Sequence, residues 1–547
     1  MSAVLPEAAT AGLTPDAARL LQALTRAGVM PAAELLEVLG KSQPTLSRVL
    51  RELGGRVVAL GAARARRYGV PQSILGLPAR RPLTWVDEHG VARPWGALTL
   101  LAGDQVHVSG PGVDVITRGA LPWFLAPLRV EGHLGRIIAA ELAPLGLDSR
   151  PERWTLAEQL YAAALLHDAP GALVLGELPG FAPPLLTTVL GPAAATAAPA
   201  ARPALLPALQ AVPTLPVSAI ASVDELPPDA CRLLPAALAP LLAAASAAAP
   251  PLPLRRRQAD VASRCALYDR LADENTPPAA ALPDGACLPG EQPKFLCRLT
   301  DGGAEVVKYS PPLGPMGGAW AERWSDLLHA ELTALAVLGQ AGLPVAEAEL
   351  LISPQRVYLV TQRVDRLPAP RVAPAGVTEV AGAGVASLPP GPRAAGRRHL
   401  VSLATAHRAF VAGPLRDATG SARALAEQRR LCAADAQRIS LLQAYAQLVG
   451  HGALAPAKLA LAVDAGDVAR GRLALAPLTT LRAERYTPTL LGGEPPLTPL
   501  QPDARALHSA ARPWAELTWQ TMADSDEFSP AWRALARVQA QQLRAPH

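Results

Sequence analysis

At 547 residues the chain is too long for one ordinary core, so several domains are expected. Hydrophobic residues make up 50% of it, but alanine supplies much of that share and 57 prolines interrupt it, so the apolar fraction overstates the core. A net charge of +5 with a pI near 9.1 is too mild over this length to single out any partner, and the placing of the charge carries more information than its sum.

The first residues, 1–12, have neither a basic start nor an apolar signal core, so a cytoplasmic protein is expected. Thr14 and Pro15 then begin a helix in which Leu20, Leu21 and Leu24 share one face, and Gly28 ends it. A second helix runs from Pro31, burying Leu35, Leu36 and Leu39, and Gly40-Lys41 turns the chain. Ser42 caps a third, with Leu46, Val49, Leu50 and Leu53 inward and Thr45, Ser47, Arg48 and Arg51 outward. A short hairpin follows, residues 56–60 and 64–68 about Gly61-Ala62-Ala63, and Arg64, Arg66 and Arg67 make it a basic wing. Between residues 41 and 70 the basic side chains are Lys41, Arg48, Arg51, Arg56, Arg64, Arg66 and Arg67, against Glu52 as the sole acid.

Such a one-sided patch suits duplex phosphates, while short polar side chains and arginines suit base edges. The run from Ser42 through Gln43, Pro44, Thr45, Leu46 and Ser47 to Arg48 resembles winged helix-turn-helix recognition helices. Residues 1–72 are therefore expected to be a DNA-binding domain for double-stranded DNA, through Ser42, Gln43, Thr45, Ser47, Arg48, Arg51, Arg64, Arg66 and Arg67. The competing reading is a solvated basic face on a three-helix unit that docks protein.

Residues 82–108 alternate and turn like a β-meander, and a mostly helical section from Leu121 to about Glu177 carries Trp123 and Phe124 as core residues. From 181 the composition collapses into Ala, Pro and Leu, and residues 181–286 are read as an insertion or linker. Residues 367–397 are read as a second, shorter one. The uncharged run 233–254 is long enough for a bilayer, but Pro235, Pro240, Pro250, Pro251 and Pro253 break it, so no membrane span is expected. Cys231, Cys265, Cys287, Cys297 and Cys432 form no Cys-x-x-Cys pair, which argues for a reducing compartment and against zinc.

Between the two insertions lies the stretch richest in chemistry. A turn at Pro289-Gly290-Glu291-Gln292-Pro293-Lys294 runs into a strand from Phe295 to Leu299, and after Asp301-Gly302-Gly303 a second strand carries Lys308. A helix opening near Arg323 can bring Glu331 back to that lysine. Glycine loop, strand lysine and helix glutamate together are how kinase-like folds hold phosphates. Gly314 to Gly318 is a flexible loop beside them.

These residues resemble the HipA family of serine/threonine kinase toxins, in the branch that carries its own DNA-binding domain. The matching parts are residues 290–295, 307–310, Arg323-Trp324 with Asp326, Leu327, Leu328 and Glu331, and Gln362-Arg363-Val364-Asp365-Arg366. The resemblance implies an α+β protein, an N-terminal winged helix-turn-helix followed by a two-lobed, protein-kinase-like body. That body would comprise a first subdomain at 80–180, a nucleotide cradle at 287–366 and a helical C-lobe at 398–547. It also implies ATP as cofactor, nucleotide contacts from Gly290, Gln292, Lys294, Lys308, Glu331 and Gln362, and a protein substrate or regulatory partner in a toxin–antitoxin setting.

Phosphotransfer further needs a carboxylate near the acceptor hydroxyl, and an Asn and an Asp to hold Mg2+. A helix striped by Ile439, Leu442, Ala446 and Val449 precedes the segment that resembles the family's catalytic loop. There the catalytic Asp position falls on Ala453 and the metal-binding Asn position on Lys458, and further on the metal-binding Asp position falls on Thr480. Asp365, Asp464 and Asp467 are the acids available as displaced substitutes, and His451 is read as a helix-end histidine. Lys458 either sets an ammonium where magnesium would sit or is a surface lysine in a decayed loop. Three readings stay open: a DNA-binding regulator with a pseudokinase body, an active kinase toxin using displaced groups, and a decaying gene.

Overall fold

In the computed structural model, which describes residues 12–61, 66–166, 169–176, 254–255, 261–274, 292–299, 304–314, 318–368, 396–451, 454–481 and 505–545, Thr14 opens the first helix as its sequence suggests. Its Oγ1 accepts the Ala17 N–H at 3.3 Å, and α1 (Pro15–Ala27) buries Leu20, Leu21 and Leu24. These pack against Leu35 and Leu39 of α2 (Ala32–Leu39) and Leu46, Val49 and Leu53 of α3 (Gln43–Leu53) in a core of their own. A three-stranded sheet closes the unit, with β3 (Arg67–Gly69) between β1 (Met30–Pro31) and β2 (Val58–Leu60). Two details differ from expectation. Ser42 stands at the cap of α3, but its hydroxyl faces Thr45 Oγ1 at 3.3 Å rather than a backbone N–H, and Arg56 lies in a 3-10 turn before the hairpin.

This unit is seated on the next one by its backbone. Gln105 Oε1 accepts the Val29 N–H at 2.7 Å, and the Arg118 guanidinium donates to the Ala27 carbonyl. Gly28, at φ +86°, lies so close to Gln105 that a Cβ there would sit 2.6 Å from its Oε1. Gln105 and Arg118 belong to a five-stranded antiparallel sheet of β4 (Arg80–Val86), β5 (Ala92–Leu101), β6 (Gln105–Gly110), β7 (Val113–Arg118) and β8 (Leu173–Leu175), in the order β7-β6-β5-β4-β8. Phe124 fills its core, together with residues of α4 (Gly132–Leu142) and α5 (Leu156–Leu165). A capping box, Thr155 with Glu158, starts α5.

A second five-stranded sheet follows the order β12-β13-β11-β10-β9, built from β9 (Leu254–Arg255), β10 (Lys294–Leu299), β11 (Ala304–Tyr309), β12 (Ala348–Ile352) and β13 (Val357–Gln362). Here the reading of 181–286 as insertion or linker needs correction for the part of it that is described. Residues 254–255 pair with β10, and α6 (Val261–Glu274) covers one sheet face. Cys265, Tyr268, Leu271 and Ala272 form its inward stripe against Phe295, Cys297, Val307 and Tyr358. Polar ties hold it there as well: Arg264 to Glu349, Asp273 to Arg356, and Asp269 to Ser353 and Tyr358. The run 233–254 lies outside the described residues save for Leu254.

The other sheet face receives α7 (Gly318–Gln340), through Leu328 on Val357 and Leu359, and α4, through Leu134 and Ile137 on Leu296. Beyond β14 (Arg366–Leu367) and β15 (Gly396–Arg397), which pair across the second insertion, the chain is mainly helical. It runs through β16 (Leu400–Ser402), α8 (Leu403–Phe410), α9 (Ala418–Glu427), α10 (Ala433–Leu448), β17 (Ala460–Ala462), β18 (Ala474–Leu475), α11 (Arg505–Asp524) and α12 (Pro530–Arg544). Trp519 and Trp532 of the last two helices are fully buried, and Trp519 Nε1 donates to the Leu448 carbonyl at 3.0 Å. The α+β class read from the sequence is the class of the structure, and among the described residues no helix is long and apolar enough to cross a membrane.

A buried polar hub joins the two sheets. Asp365 accepts from Arg363 at 2.8 Å, from Arg366 at 2.9 Å and from the Gly171 N–H at 3.1 Å, while Arg366 also donates to the Ala169 carbonyl at 2.8 Å. Burial pushes the Asp365 pKa up, but the two guanidinium groups outweigh it and hold the carboxyl below its usual value. His399 beside it accepts the Ala172 N–H at Nδ1 (3.2 Å) and donates from Nε2 to the Phe124 carbonyl (2.8 Å). Burial drives its pKa down to about 4, against the pull of the Phe124 carbonyl and Asp365.

A histidine depressed in the folded state stabilises fully above its unfolded pKa, and that contribution is lost as pH falls from about 6.5 towards 4. Protein with His399 intact is therefore expected to lose up to about 3 kcal/mol more over that window than a His399→Gln variant. Unfolding by denaturant at several pH values measures the difference in slope.

Candidate functional site

The site forms on the sheet face that α7 covers. Lys294 and Lys308 are directly opposed in the β10/β11 register, so both side chains leave the same face, and both are buried. Lys308 Nζ donates to Glu331 Oε1 at 2.6 Å and to Thr480 Oγ1 at 2.9 Å. Thr480 in turn donates its hydroxyl hydrogen to Glu331 Oε1 at 2.6 Å, and the Leu481 N–H reaches the same oxygen at 3.1 Å. One carboxylate oxygen thus gathers three donors in a fully buried place.

Local structure explains each position. Glu331 lies midway along α7, among Leu327, Leu328, Ala330 and Ala334, whose burial fixes the rotation of the helix. Thr480 arrives on a strand-like segment held by Leu478, whose N–H donates to Pro344 O at 2.9 Å and whose carbonyl accepts from Ala346 N at 2.9 Å. That pins the segment to the turn leaving α7 and delivers Thr480 and Leu481 to the glutamate.

Of the remaining expected nucleotide residues, Gln292 lies beside β10, and the structure does not bring Gln362 to the lysine face. Gln292 precedes β10 by two residues and is 8% exposed, and its Nε2 has no hydrogen-bond partner among the described residues. Gln362 ends β13 opposite Glu305. Gly290 and Ala453 lie outside the described residues. Lys458 ends a 3-10 turn, Pro456–Lys458, and is half-buried, while His451 is buried at the end of α10.

None of the displaced acids is shown beside the lysine. Asp365 is spent in the hub, Asp464 is exposed beyond β17, and Asp467 lies 3.6 Å from Arg470 in the turn between β17 and β18. Among the described residues no group of three or more His, Cys, Asp or Glu is arranged to hold a metal. Gly314 and Gly318 instead line a separate cavity of about 420 Å³ with Glu322, Asp326, Asp526 and Arg533, whose carboxylates make it unsuited to phosphate.

On the N-terminal unit, Ser42, Gln43, Ser47, Arg48, Arg51, Arg66 and Arg67 are exposed and Thr45 is half-buried. Arg64 lies outside the described residues. Sequence reasoning missed the structural use of Arg363, Asp365 and Arg366. The only signal for it was alternating opposite charges in an otherwise apolar setting.

In sequence the chain is similar to a known class of toxin. Residues 77–179 match the family model described as "YjjJ-like toxin, middle domain". The chain is 25% identical to Toxin YjjJ of Escherichia coli (strain K12) over 533 residues, 94% of this chain and 95% of that protein. The matches bear out the resemblance to HipA-type toxins, in the branch expected from the sequence. Among solved structures, a Shewanella oneidensis MR-1 complex of the HipA, HipB toxin–antitoxin system with its operator DNA aligns with a TM-score of 0.44 and 14% identity, over 85% of this chain and 96% of that one.

Removing one partner of a buried pair leaves an uncompensated charge, so Glu331→Ala is expected to destabilise by about 3–5 kcal/mol, and Thr480→Val, which deletes one hydroxyl, by about 1–2 kcal/mol. Because both act on one oxygen, the double variant should cost clearly less than the sum, which a double-mutant cycle of denaturant unfolding measures.

Proposed function

We propose that this protein is a DNA-binding regulator of toxin–antitoxin type whose kinase-like body holds a nucleotide without transferring its phosphate. The observation that carries this reading is the hydrogen-bonded triad of Lys308, Glu331 and Thr480. Lysine paired with a helix glutamate is the phosphate-gripping half of a kinase site. Its metal-holding half is replaced: a hydroxyl that donates to Glu331 stands where the resemblance expects an aspartate.

Chemistry argues in the same direction. A methyl group at Ala453 cannot take the proton of an acceptor hydroxyl, and an ammonium at Lys458 cannot ligate a cation. Asp365, enclosed by two guanidinium groups, has no free oxygen to offer as a base. The name of the E. coli relative supports the toxin setting. For DNA, the support is the exposed row Gln43, Ser47, Arg48 and Arg51 on α3 with Arg66 and Arg67 on the wing, on a unit whose apolar side is used up internally.

Two measurements test the proposal. Purified protein with magnesium and ATP is expected to label neither itself nor added protein above the level of a Lys308→Ala variant; transfer that disappears in the variant would overturn the pseudokinase reading. Duplex DNA is expected to bind with an affinity that falls as salt rises, and Arg48→Ala with Arg51→Ala should abolish the shift or lower the log–log salt slope by about 2. Unchanged binding by that double variant would remove α3 as the reading helix.

A further inference from the structure

We infer that the cradle takes its nucleotide as the free polyphosphate anion, without a divalent cation, because Thr480 has taken over the local charge balance that a metal would provide. The inference rests on the nucleotide-holding reading and goes one step further, to the chemical form of the ligand.

Magnesium asks for a near-octahedral shell of oxygens with one or two carboxylates among them. The carboxylate hydrogen-bonded at Lys308 is that of Glu331, and its Oε1 already receives Lys308 Nζ, Thr480 Oγ1 and the Leu481 N–H. Thr480 Oγ1 has its one hydrogen committed to Glu331 and one lone pair committed to Lys308. Among the described residues Glu331 is thus one carboxylate, already engaged at Oε1 and with no second carboxylate shown beside it, and this pairing does not supply the oxygen shell that magnesium asks for.

Position 480 also shows why none is needed. An aspartate there would bring a second carboxylate to within roughly hydrogen-bond distance of Glu331, and Lys308, one cation between two carboxylates, would leave a net negative charge for a metal to balance. Threonine turns that repulsion into a hydrogen bond of 2.6 Å. Within the triad the one carboxylate of Glu331 is then balanced by the ammonium of Lys308.

The donors carried on and beside β10 and β11 suit an anion. Lys308 spends two of its three N–H groups on Glu331 and Thr480, leaving the third for a phosphate oxygen. Lys294 stands directly across the ladder on the same face. The Gln292 amide, more than nine-tenths buried and with its Nε2 unpartnered among the described residues, is a further donor at the start of β10. These groups recognise phosphate oxygens, and a magnesium complex of the nucleotide would present them with fewer free oxygens.

The test is titration of the full-length protein with ATP by calorimetry, once in EDTA and once in excess magnesium. ATP is expected to bind in EDTA at least as tightly as in magnesium, and Lys308→Ala to lose about tenfold or more in EDTA. Thr480→Asp is expected to weaken binding in EDTA by about tenfold, with magnesium restoring part of the loss. Wild-type binding that requires magnesium would overturn this inference while leaving the nucleotide-holding reading intact, and it needs no variant to fold. Equal binding by wild type and a folded Thr480→Asp in EDTA would overturn it as well. No binding in either condition would remove the nucleotide reading itself.

Discussion

A buried ammonium needs a buried anion, and the placing of Lys308 opposite Glu331 is the constraint around which the centre of this protein is arranged. The lysine comes from β11, the glutamate from the middle of α7, and the third member from a segment almost 150 residues further on. None of the three elements can shift by much without exposing a charge to an apolar surround. The pair therefore fixes how α7 lies on the sheet and where the chain after β18 must return.

From this centre the packing reaches outward in two directions. Leu134 and Ile137 of α4 press on Leu296, on the same sheet face as the cradle lysines, so the middle domain braces the strand that carries Lys294. The Asp365 hub then ties the end of the cradle sheet to Ala169, Gly171 and, through His399, to Ala172 and Phe124. On its far side the middle domain holds the N-terminal unit through Gln105 and Arg118, which satisfy backbone groups at the end of α1. Beyond that apolar contact, the junctions are built from hydrogen bonds to backbone with little freedom to rotate, which seats the unit bearing α3 on the middle domain.

Much of this was legible in the sequence where local chemistry decides it. The Thr14 cap, the leucine stripes of α1 and α3, the cradle strands and the Lys308–Glu331 contact follow from periodicity, capping and spacing. The failures have physical causes. Helix α6 was lost because it follows a long Ala- and Pro-rich run, and its stripe of Cys265, Tyr268, Leu271 and Ala272 is recognisable only beside the aromatic face it covers. Asp365 was weighed as a stray catalytic acid because the burial and the Gly171 N–H that fix it beside its sequence neighbours Arg363 and Arg366 arise only after the middle domain folds back. Thr480 was read as a lost aspartate, and nothing local to it predicts that its hydroxyl completes a distant ion pair.

That last point bears on whether the site has merely decayed. Loss of an aspartate by drift would leave Glu331 and Lys308 with an arbitrary neighbour, and most side chains at 480 would either leave a donor unmet or crowd the carboxylate. Threonine is among the few that donate to Glu331 and accept from Lys308 with the same atom. The backbone agrees, since Leu481 adds its N–H to the same oxygen. The mutual pairing of Lys308, Glu331 and Thr480 is a physical constraint that decay does not impose.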